Sequence, residues 1–457
     1  MFGSLALLSL ALTLWQWLVA RRFPLHERLR APSPPPQTGA GPDPAGPQVS
    51  FSQLSTLNSQ LPPVTLLKPL KGCDEATENC LRSWLAQDYA GPVQVLFGVA
   101  SAQDPVCEIV RKLLKEFPAH DAQLVVCGPS LGANAKVSKL VELERLAKHE
   151  LLVISDADVR VPPDLLTNVV APLLEGCPVP LSHPPAPITS GMGEGLGVRA
   201  GLLPQLSTLN SQLTSEMRAC GLVTCFYRLA NPTTLAMRWE AVAINADFWS
   251  QVLQSCSLKP MDFALGAVMA TRRKQLQEIG GFAALVDCLA DDYQLGNRLA
   301  RRGYGVAISP VVVECWSAPM GWAAVWKHQL RWARTIRICQ PVPYFFSILS
   351  NATLWPLLSL AARPAVLPLA LAALCLAVRI ATALHLQHRL ACSPLTPPVS
   401  SFKFHPSPTL SPWYLILLKD LLQSILWLLA FLGNRIEWRG ERLQLRRDGT
   451  LARQSGR

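Results

Sequence analysis

LLVISDADVR, residues Leu151 to Arg160, is an apolar run long enough for one buried strand, and it ends abruptly in Asp156 and Asp158. Two carboxylates at the end of a buried strand need a counter-charge, because burial penalises an uncompensated ion. In an open α/β sheet the carboxyl edge of the strands is where ligands bind. Alternate oxygens there suit a divalent cation holding a diphosphate. An aspartate turn capping a helix at Pro162 would use the same letters, so the surrounding sequence has to choose.

Outward from this stretch, short apolar runs alternate with helical patterns. Val64 to Leu67, Val93 to Val99, Gln123 to Cys127 and Leu151 to Ser155 read as strands. Cys80 to Leu85, Asp104 to Glu116 and Lys136 to His149 read as the helices between them. Beyond a Pro- and Gly-rich stretch, strand-like Gly221 to Tyr227 and Gly266 to Met269 resume the pattern, followed by a helix at Lys274 to Ile279 that Gly280 and Gly281 stop. This alternation predicts an α/β domain with a parallel sheet covered on both faces. The segment QLSTLNSQL occurs at Gln53 to Leu61 and again, unchanged, at Gln205 to Leu213. The two copies are too far apart for a solenoid period and read as inserted surface segments.

With 50% hydrophobic and 16% charged residues, the chain is too apolar for an ordinary soluble enzyme. Met1 to Ala20 carries no charge and is followed by Arg21 and Arg22, as in an uncleaved membrane anchor whose far end faces the cytoplasm. A cleaved signal peptide would need positive charge before the apolar run, and Met1 to Leu5 has none. Three later segments could span a bilayer: Pro341 to Ala362, Pro364 to Leu384 and Trp413 to Leu432. Arg331, Arg334 and Arg337 precede them and Arg435, Arg439 and Arg442 follow, so both flanks favour the cytoplasm. Equal sidedness requires an even number of crossings. One segment is therefore expected to be re-entrant or interfacial, either Pro341 to Ala362, broken by Pro343 and Pro356, or the last, with its Lys419–Asp420 pair.

The expected organisation is an anchor over 1–20, a disordered linker over 21–62 and a catalytic domain over 63–340 with an insertion at 178–218. A membrane region of two or three helices over 341–433 and a basic cytoplasmic tail over 434–457 complete it. The net charge of +11 does not point to nucleic acid, because the arginines cluster beside apolar spans; anionic lipid headgroups are the better partners. The 13 cysteines include no CxxC pair, which argues against a zinc site or a disulfide framework.

Two further motifs carry chemistry. In LADDYQLG, from Leu289, the acidic pair Asp291 and Asp292 opens a helix, where negative charge is favoured. One of these carboxylates can also serve as a general base. In His328-Gln-Leu-Arg331-Trp332 a helix presents a phosphate-binding guanidinium beside a flat aromatic just before the membrane region. An interfacial Arg-Trp pair is the alternative there.

In this order the pieces resemble the ceramide glucosyltransferase family, a membrane-anchored branch of the Rossmann-like GT-A glycosyltransferases. Within it the chain is most similar to the bacterial hopanoid-biosynthesis glycosyltransferases. The matching residues are VTLLKPLKG from Val64, DPVCEIVRKLL from Asp104, GANAKVSKL from Gly132, SDADVRVPPDLL from Ser155, LADDYQLG from Leu289, HQLRWARTIR from His328 and WRGERLQL from Trp438. The family pattern is three aspartates followed by Gln/Arg-x-x-Arg-Trp. The resemblance places Asp104 at a nucleotide-binding position, Asp156 at the metal position and Asp292 at the base. Arg331 and Trp332 take the donor-binding positions, and His328 stands where the pattern has Gln or Arg. Asp158 completes a DxD and strengthens the metal assignment, while Asn134, Lys136 and Asp291 are further candidates for the nucleotide-sugar side.

The resemblance implies a UDP-sugar donor, a membrane lipid acceptor (ceramide or a hopanoid polyol), Mg²⁺ or Mn²⁺ as cofactor, and a multi-pass protein of the bacterial inner membrane with its catalytic domain in the cytoplasm. Metal held by Asp156 and Asp158 would neutralise the leaving diphosphate with help from Arg331, and Asp292 would deprotonate the attacking hydroxyl. In-line attack would invert the anomeric centre. A processive polysaccharide synthase shares these motifs but needs more spans, and a catalytically silent membrane scaffold is the remaining expectation.

Overall fold

The computed structural model describes residues 1–28, 61–178, 217–391, 411–438 and 441–453. Apart from Leu61, both copies of QLSTLNSQL lie outside these residues, as do most of the expected linker and insertion.

The core is an eight-stranded sheet in the order β3-β2-β1-β4-β9-β8-β10-β5. The first strands are β1 (Val64–Pro69), β2 (Val93–Val99), β3 (Asp121–Val126) and β4 (Leu151–Ser155), all mutually parallel. Helices α2 (Thr77–Leu85), α3 (Val106–Glu116) and α4 (Ala135–Leu146) connect them, after the N-terminal helix α1 (Phe2–Arg22). The short β5 (Val159–Arg160) and α5 (Leu165–Glu175) follow the aspartates. A small ladder, β6 (Cys177–Pro178) with β7 (Met217–Arg218), precedes the long strand β8 (Cys220–Leu229). Strand side chains alternate between the two faces. Leu66, Val95, Phe97 and Val153 pack against α2, α3 and α5, while Leu67, Leu96, Leu152 and Ile154 pack against α4 on the other.

Two strands depart from the expected parallel sheet: the two-residue β5, which pairs antiparallel at the sheet edge, and the strand between β4 and β8. β9 (Val268–Arg272) runs antiparallel to both neighbours, β4 and β8. The cause is the path of the chain after β8. It leaves the sheet into α6 (Leu235–Val242), a π-helical turn at Ala243–Phe248 and α7 (Trp249–Cys256), which pack on apolar helices outside the sheet. The chain then re-enters from the edge it left, and a strand that returns without a crossover must run antiparallel. Helices α8 (Arg273–Glu278) and α9 (Asp291–Arg301), strand β10 (Gly305–Cys315) and helix α10 (Trp322–Cys339) complete the domain. β10 is parallel to β8, so the carboxyl ends of β1, β2, β4, β8 and β10 share one edge.

Among the described residues, three helices are long and apolar enough to cross a bilayer: α1, α13 (Val366–Ala391) and α14 (Trp413–Phe431). Between α10 and α13, the helices α11 (Pro341–Phe346) and α12 (Leu354–Ala362) belong to a pair bent by 54°. This is one of the two segments expected to be re-entrant or interfacial, the one broken by Pro343 and Pro356. The residues after 434 are more than a basic tail. Strands β11 (Arg435–Trp438), β12 (Glu441–Leu445) and β13 (Leu451–Arg453) form an antiparallel meander whose Ile436, Leu443, Leu445 and Leu451 are buried with Leu289.

The apolar helices are joined to the domain by buried charge. The Arg379 guanidinium on α13 donates to Asp247 of the π-helical turn at 3.0 and 2.9 Å and to Asp420 of α14 at 2.8 and 2.8 Å. Lys419 contacts both carboxylates, and Thr353 donates to Asp420 at 2.6 Å. Two cations facing two anions can persist in an apolar setting because each is paired. The sequence shows the Lys419–Asp420 pair and the lone Arg379, but Asp247 joins them only through the fold. Arg379→Met leaves two buried carboxylates facing one ammonium and is expected to cost about 3–5 kcal/mol. The melting temperature in detergent checks this, and an unchanged value would show that the quartet does not stabilise the fold.

Candidate active site

Asp156 and Asp158 emerge where β4 ends. Beneath them, the fully buried Lys68 of β1 donates from Nζ to Ser155 Oγ at 3.2 Å and to the Asp156 carbonyl, with its ammonium 4.6 Å from the Trp84 ring. Burial pushes the Lys68 ammonium down to about 8, against the opposing pull of nearby Cys80 and Asp156. The Asp158 side chain is open to solvent at the mouth of this recess, yet the surrounding protein displaces enough water to matter. Burial first, and the charge of Asp156 second, push its carboxyl up to about 6.

Lys136 supplies the nearest counter-charge. Its Nζ lies 2.8 Å from Asp156 Oδ1 and 3.1 Å from Asp291 Oδ2. Burial alone would lower this ammonium, but Asp156 and Asp291 outweigh it and hold Lys136 above the ordinary lysine range. The lysine thus ties the end of β4 to the start of α9. Asn134 caps α4, accepting from the amides of Lys136 and Val137 at 3.0 and 3.2 Å. Its amide nitrogen donates to the Cys288 carbonyl at 2.8 Å and reaches Asp291 at 3.5 Å. Asn134 is fully buried, and its polar atoms hold the loop before α9 in place.

Asp292 follows on the first turn of α9. Its Oδ1 accepts from the Tyr293 amide at 2.7 Å, and its carboxylate lies against Gly266, where an added Cβ would sit 2.8 Å from Oδ2. Burial, then the charge of Asp291, push Asp292 up to about 6. A carboxylate so placed can accept a proton near neutral pH. Tyr293 ties the same turn to α10, donating from its hydroxyl to the Cys339 carbonyl at 2.8 Å.

The third wall is α10. The buried Glu240 of α6 accepts from His328 Nδ1 at 2.6 Å and from Gln329 Nε2 at 2.8 Å. The His328 ring lies 4.9 Å from Trp332, which is 5.9 Å from Phe248, itself 5.3 Å from Tyr227 on β8. This row of rings runs from the sheet edge to the helix that leads into the apolar segments. Burial, followed by surrounding negative groups that include Asp292, Glu240 and Asp156, pushes the Tyr227 phenol well above its ordinary range. Arg331 is half-buried on α10.

Asp104 has a different local task. Both its oxygens accept from the Gly72 amide, at 3.0 and 3.1 Å, and Oδ1 also accepts from Val106 at the start of α3. Gly72 has φ +66°, so the loop after β1 needs a residue free to take a left-handed conformation. Asp104 fixes that loop.

Glu240, Gly266 and the C-terminal meander escape a reading of the sequence alone. Glu240 is one acid on an apolar helix, a signal that marks it as unusual without naming its partner. The meander donates from Leu451 to the Asp287 carbonyl at 2.7 Å and accepts at Gly449 from the Leu289 amide. It also receives Arg334 and Arg337 of α10 on the Arg435 carbonyl and the Asn434 side chain. The loop before α9 and helix α10 are therefore held by one small sheet.

Among the described residues no three His, Cys, Asp or Glu side chains form a metal cage. Asp156 and Asp158 nevertheless fit Mg²⁺ or Mn²⁺, which commonly take one or two carboxylates and complete their shell with water and phosphate oxygens.

The family model for glycosyl transferase family 21 matches residues 47–185 and 205–451. Ceramide glucosyltransferase 3 of Caenorhabditis elegans is 25% identical over 255 residues, 55% of this chain and 46% of that protein. A ceramide glucosyltransferase of Komagataella phaffii is 33% identical over 118 residues, 24% of this chain and 23% of that protein. The matched stretches span less than half the length of these relatives. A mannosyltransferase of Pyrobaculum calidifontis, solved with GDP-Man and Mn²⁺, is similar over 93% of this chain and 99% of its own, at 19% identity and a TM-score of 0.42.

Because a Cβ at Gly266 would sit 2.8 Å from Asp292 Oδ2, Gly266→Ala is expected to displace the carboxylate and, if Asp292 accepts the proton, lower turnover about 100-fold. Mn²⁺ binding, measured separately, should persist. Full turnover in this variant would remove Asp292 from the reaction.

Proposed function

Because the chain belongs to glycosyl transferase family 21, we propose that it is a membrane-bound inverting glycosyltransferase acting in glycolipid synthesis. It transfers a hexose or N-acetylhexosamine from a UDP-sugar to a hydroxyl of a lipid, ceramide or a hopanoid polyol. The observation that carries this reading is the Lys136 bridge, which sets the Asp156 carboxylate beside the Asp291–Asp292 turn. Beside that turn, Tyr293 is hydrogen-bonded to the end of α10, where the chain enters the apolar segments. A lipid hydroxyl arriving at the bilayer surface thus meets a base and a diphosphate site together.

Asp292 takes the proton of the attacking hydroxyl as its oxygen bonds to the anomeric carbon, and the bond to the diphosphate oxygen breaks on the opposite face. A divalent cation on Asp156 and Asp158 supplies Lewis-acid stabilisation of the leaving diphosphate. Arg331 adds a guanidinium suited to phosphate oxygens, with His328 and Trp332 beside it. Asp104 shapes the nucleotide side through the Gly72 loop, and Lys136 keeps Asp156 and Asp291 in register. The positive flanks at Arg21–Arg22 and Arg331–Arg337 support a catalytic domain on the cytoplasmic side of the membrane. Among the described residues, three apolar helices and one bent pair favour a single transfer over the conduit of a processive synthase. The presence of every expected acid argues against a silent scaffold.

Membranes incubated with radiolabelled UDP-sugars and either ceramide or hopanoid acceptors should yield a labelled single-sugar lipid. A labelled polymer would replace this reading with the processive one, and no turnover with either lipid would favour the scaffold. Asp292→Asn should abolish transfer while leaving UDP-sugar binding intact. The base must be ionised and its carboxyl is pushed up to about 6, so turnover should rise with pH through about 6 and level off above it. A flat profile down to pH ~4.5 would exclude Asp292 as the base.

A further inference from the structure

Glu240 lies outside every motif that carries the proposed reaction, yet its side chain is 1% exposed and directed at one of them. A carboxylate this deeply buried is costly unless compensated. Its compensation comes from two successive residues of α10, His328 through Nδ1 at 2.6 Å and Gln329 through Nε2 at 2.8 Å. His328 opens the HQLRW stretch of this helix, and a Gln or Arg in its place would offer N–H donors whatever its surroundings. An imidazole does not. Which ring nitrogen carries a proton, and which way the ring faces, is set by what the other nitrogen meets.

We propose that Glu240 is a positioning residue that makes His328 a competent donor to the diphosphate. Glu240 accepts the Nδ1 proton and fixes the ring plane, and in the imidazolium form, where both ring nitrogens are donors, it leaves the Nε2–H on the opposite edge to donate to an anionic oxygen. Trp332, 4.9 Å away at an interplanar angle of 61°, limits rotation of the ring from the other side. The arrangement follows the logic of carboxylate–histidine pairs, in which a buried acid orients the imidazole and stabilises it when charged. Gln329 strengthens the case: by donating to the same Oε1 it locks the carboxylate, so that Glu240 cannot follow a moving histidine. The π-helical turn that begins at Ala243 directly follows α6 and is anchored at Asp247 by Arg379. The acid is therefore held from both sides.

The inference rests on the nucleoside diphosphate reading of the site, and a double-mutant cycle on UDP binding separates the two. The full-length protein in detergent with Mn²⁺ is titrated with UDP by calorimetry, for wild type, Glu240→Gln, His328→Gln and the double variant. Glu240→Gln is expected to weaken UDP binding about tenfold in the wild-type background. In the His328→Gln background, where no imidazole needs orienting, the same change should alter binding less than about twofold. An equal loss in both backgrounds overturns the proposal, because it makes Glu240 a packing residue only. Should Glu240→Gln fail to fold, His328→Ala keeps the question open to measurement, since an undiminished UDP affinity there also overturns it. Wild-type protein that does not bind UDP at all sinks the nucleotide reading and this inference together.

Discussion

The Lys136 ammonium, within 2.8 Å of Asp156 and 3.1 Å of Asp291, is the contact on which the site depends. Four aspartates converge at one sheet edge, and without an internal cation their mutual repulsion and loss of water would drive them apart or keep them protonated. Lys136 is placed by the cap of its own helix, where Asn134 also braces the loop before α9. The diphosphate-holding and proton-accepting sides of the proposed reaction are thereby joined through one side chain. Burial first, and the neighbouring charges of Asp156 and Asp291 second, push the Asp158 and Asp292 carboxyls up.

The same principle recurs farther from the sheet. Asp247, Arg379, Lys419 and Asp420 form a neutral quartet among apolar helices, and Glu240 pairs with His328 and Gln329 in the interior. Each group gathers charges from distant parts of the chain and fixes one element relative to another. The π-helical turn at Ala243–Phe248 lies at the junction, presenting Asp247 to the quartet and Phe248 to Trp332. Irregular turns of this kind are common near functional sites, because the extra residue re-aims the side chains around it.

Several of these features are legible in the sequence and others are not. The strand ending at Asp156, the acidic pair opening α9 and the cation-aromatic pair on α10 each follow from a local pattern. So do the apolar helices, including the proline-broken segment that turns out to be bent. Glu240 meets His328 across 88 residues and Asp247 meets Arg379 across 132, and no periodicity encodes such pairings. The antiparallel β9 was hidden for a related reason: its direction depends on which edge the chain returns to, and a strand's own residues read the same both ways. The meander after 434 was hidden by its arginines, which dominate the composition while Ile436, Leu443 and Leu445 form the buried face.

Taken alone, the sequence determined which segments would be buried, which would enter lipid and where acids would end a strand or open a helix. Those outcomes depend on side-chain polarity at spacings of two to four residues. Only the tertiary structure decided that Lys136 would bridge two motifs, that Gly266 would make room for Asp292 and that Glu240 would meet His328. Electrostatic pairing in a low-dielectric interior acts through space, and the distances that govern it are set by how the chain folds.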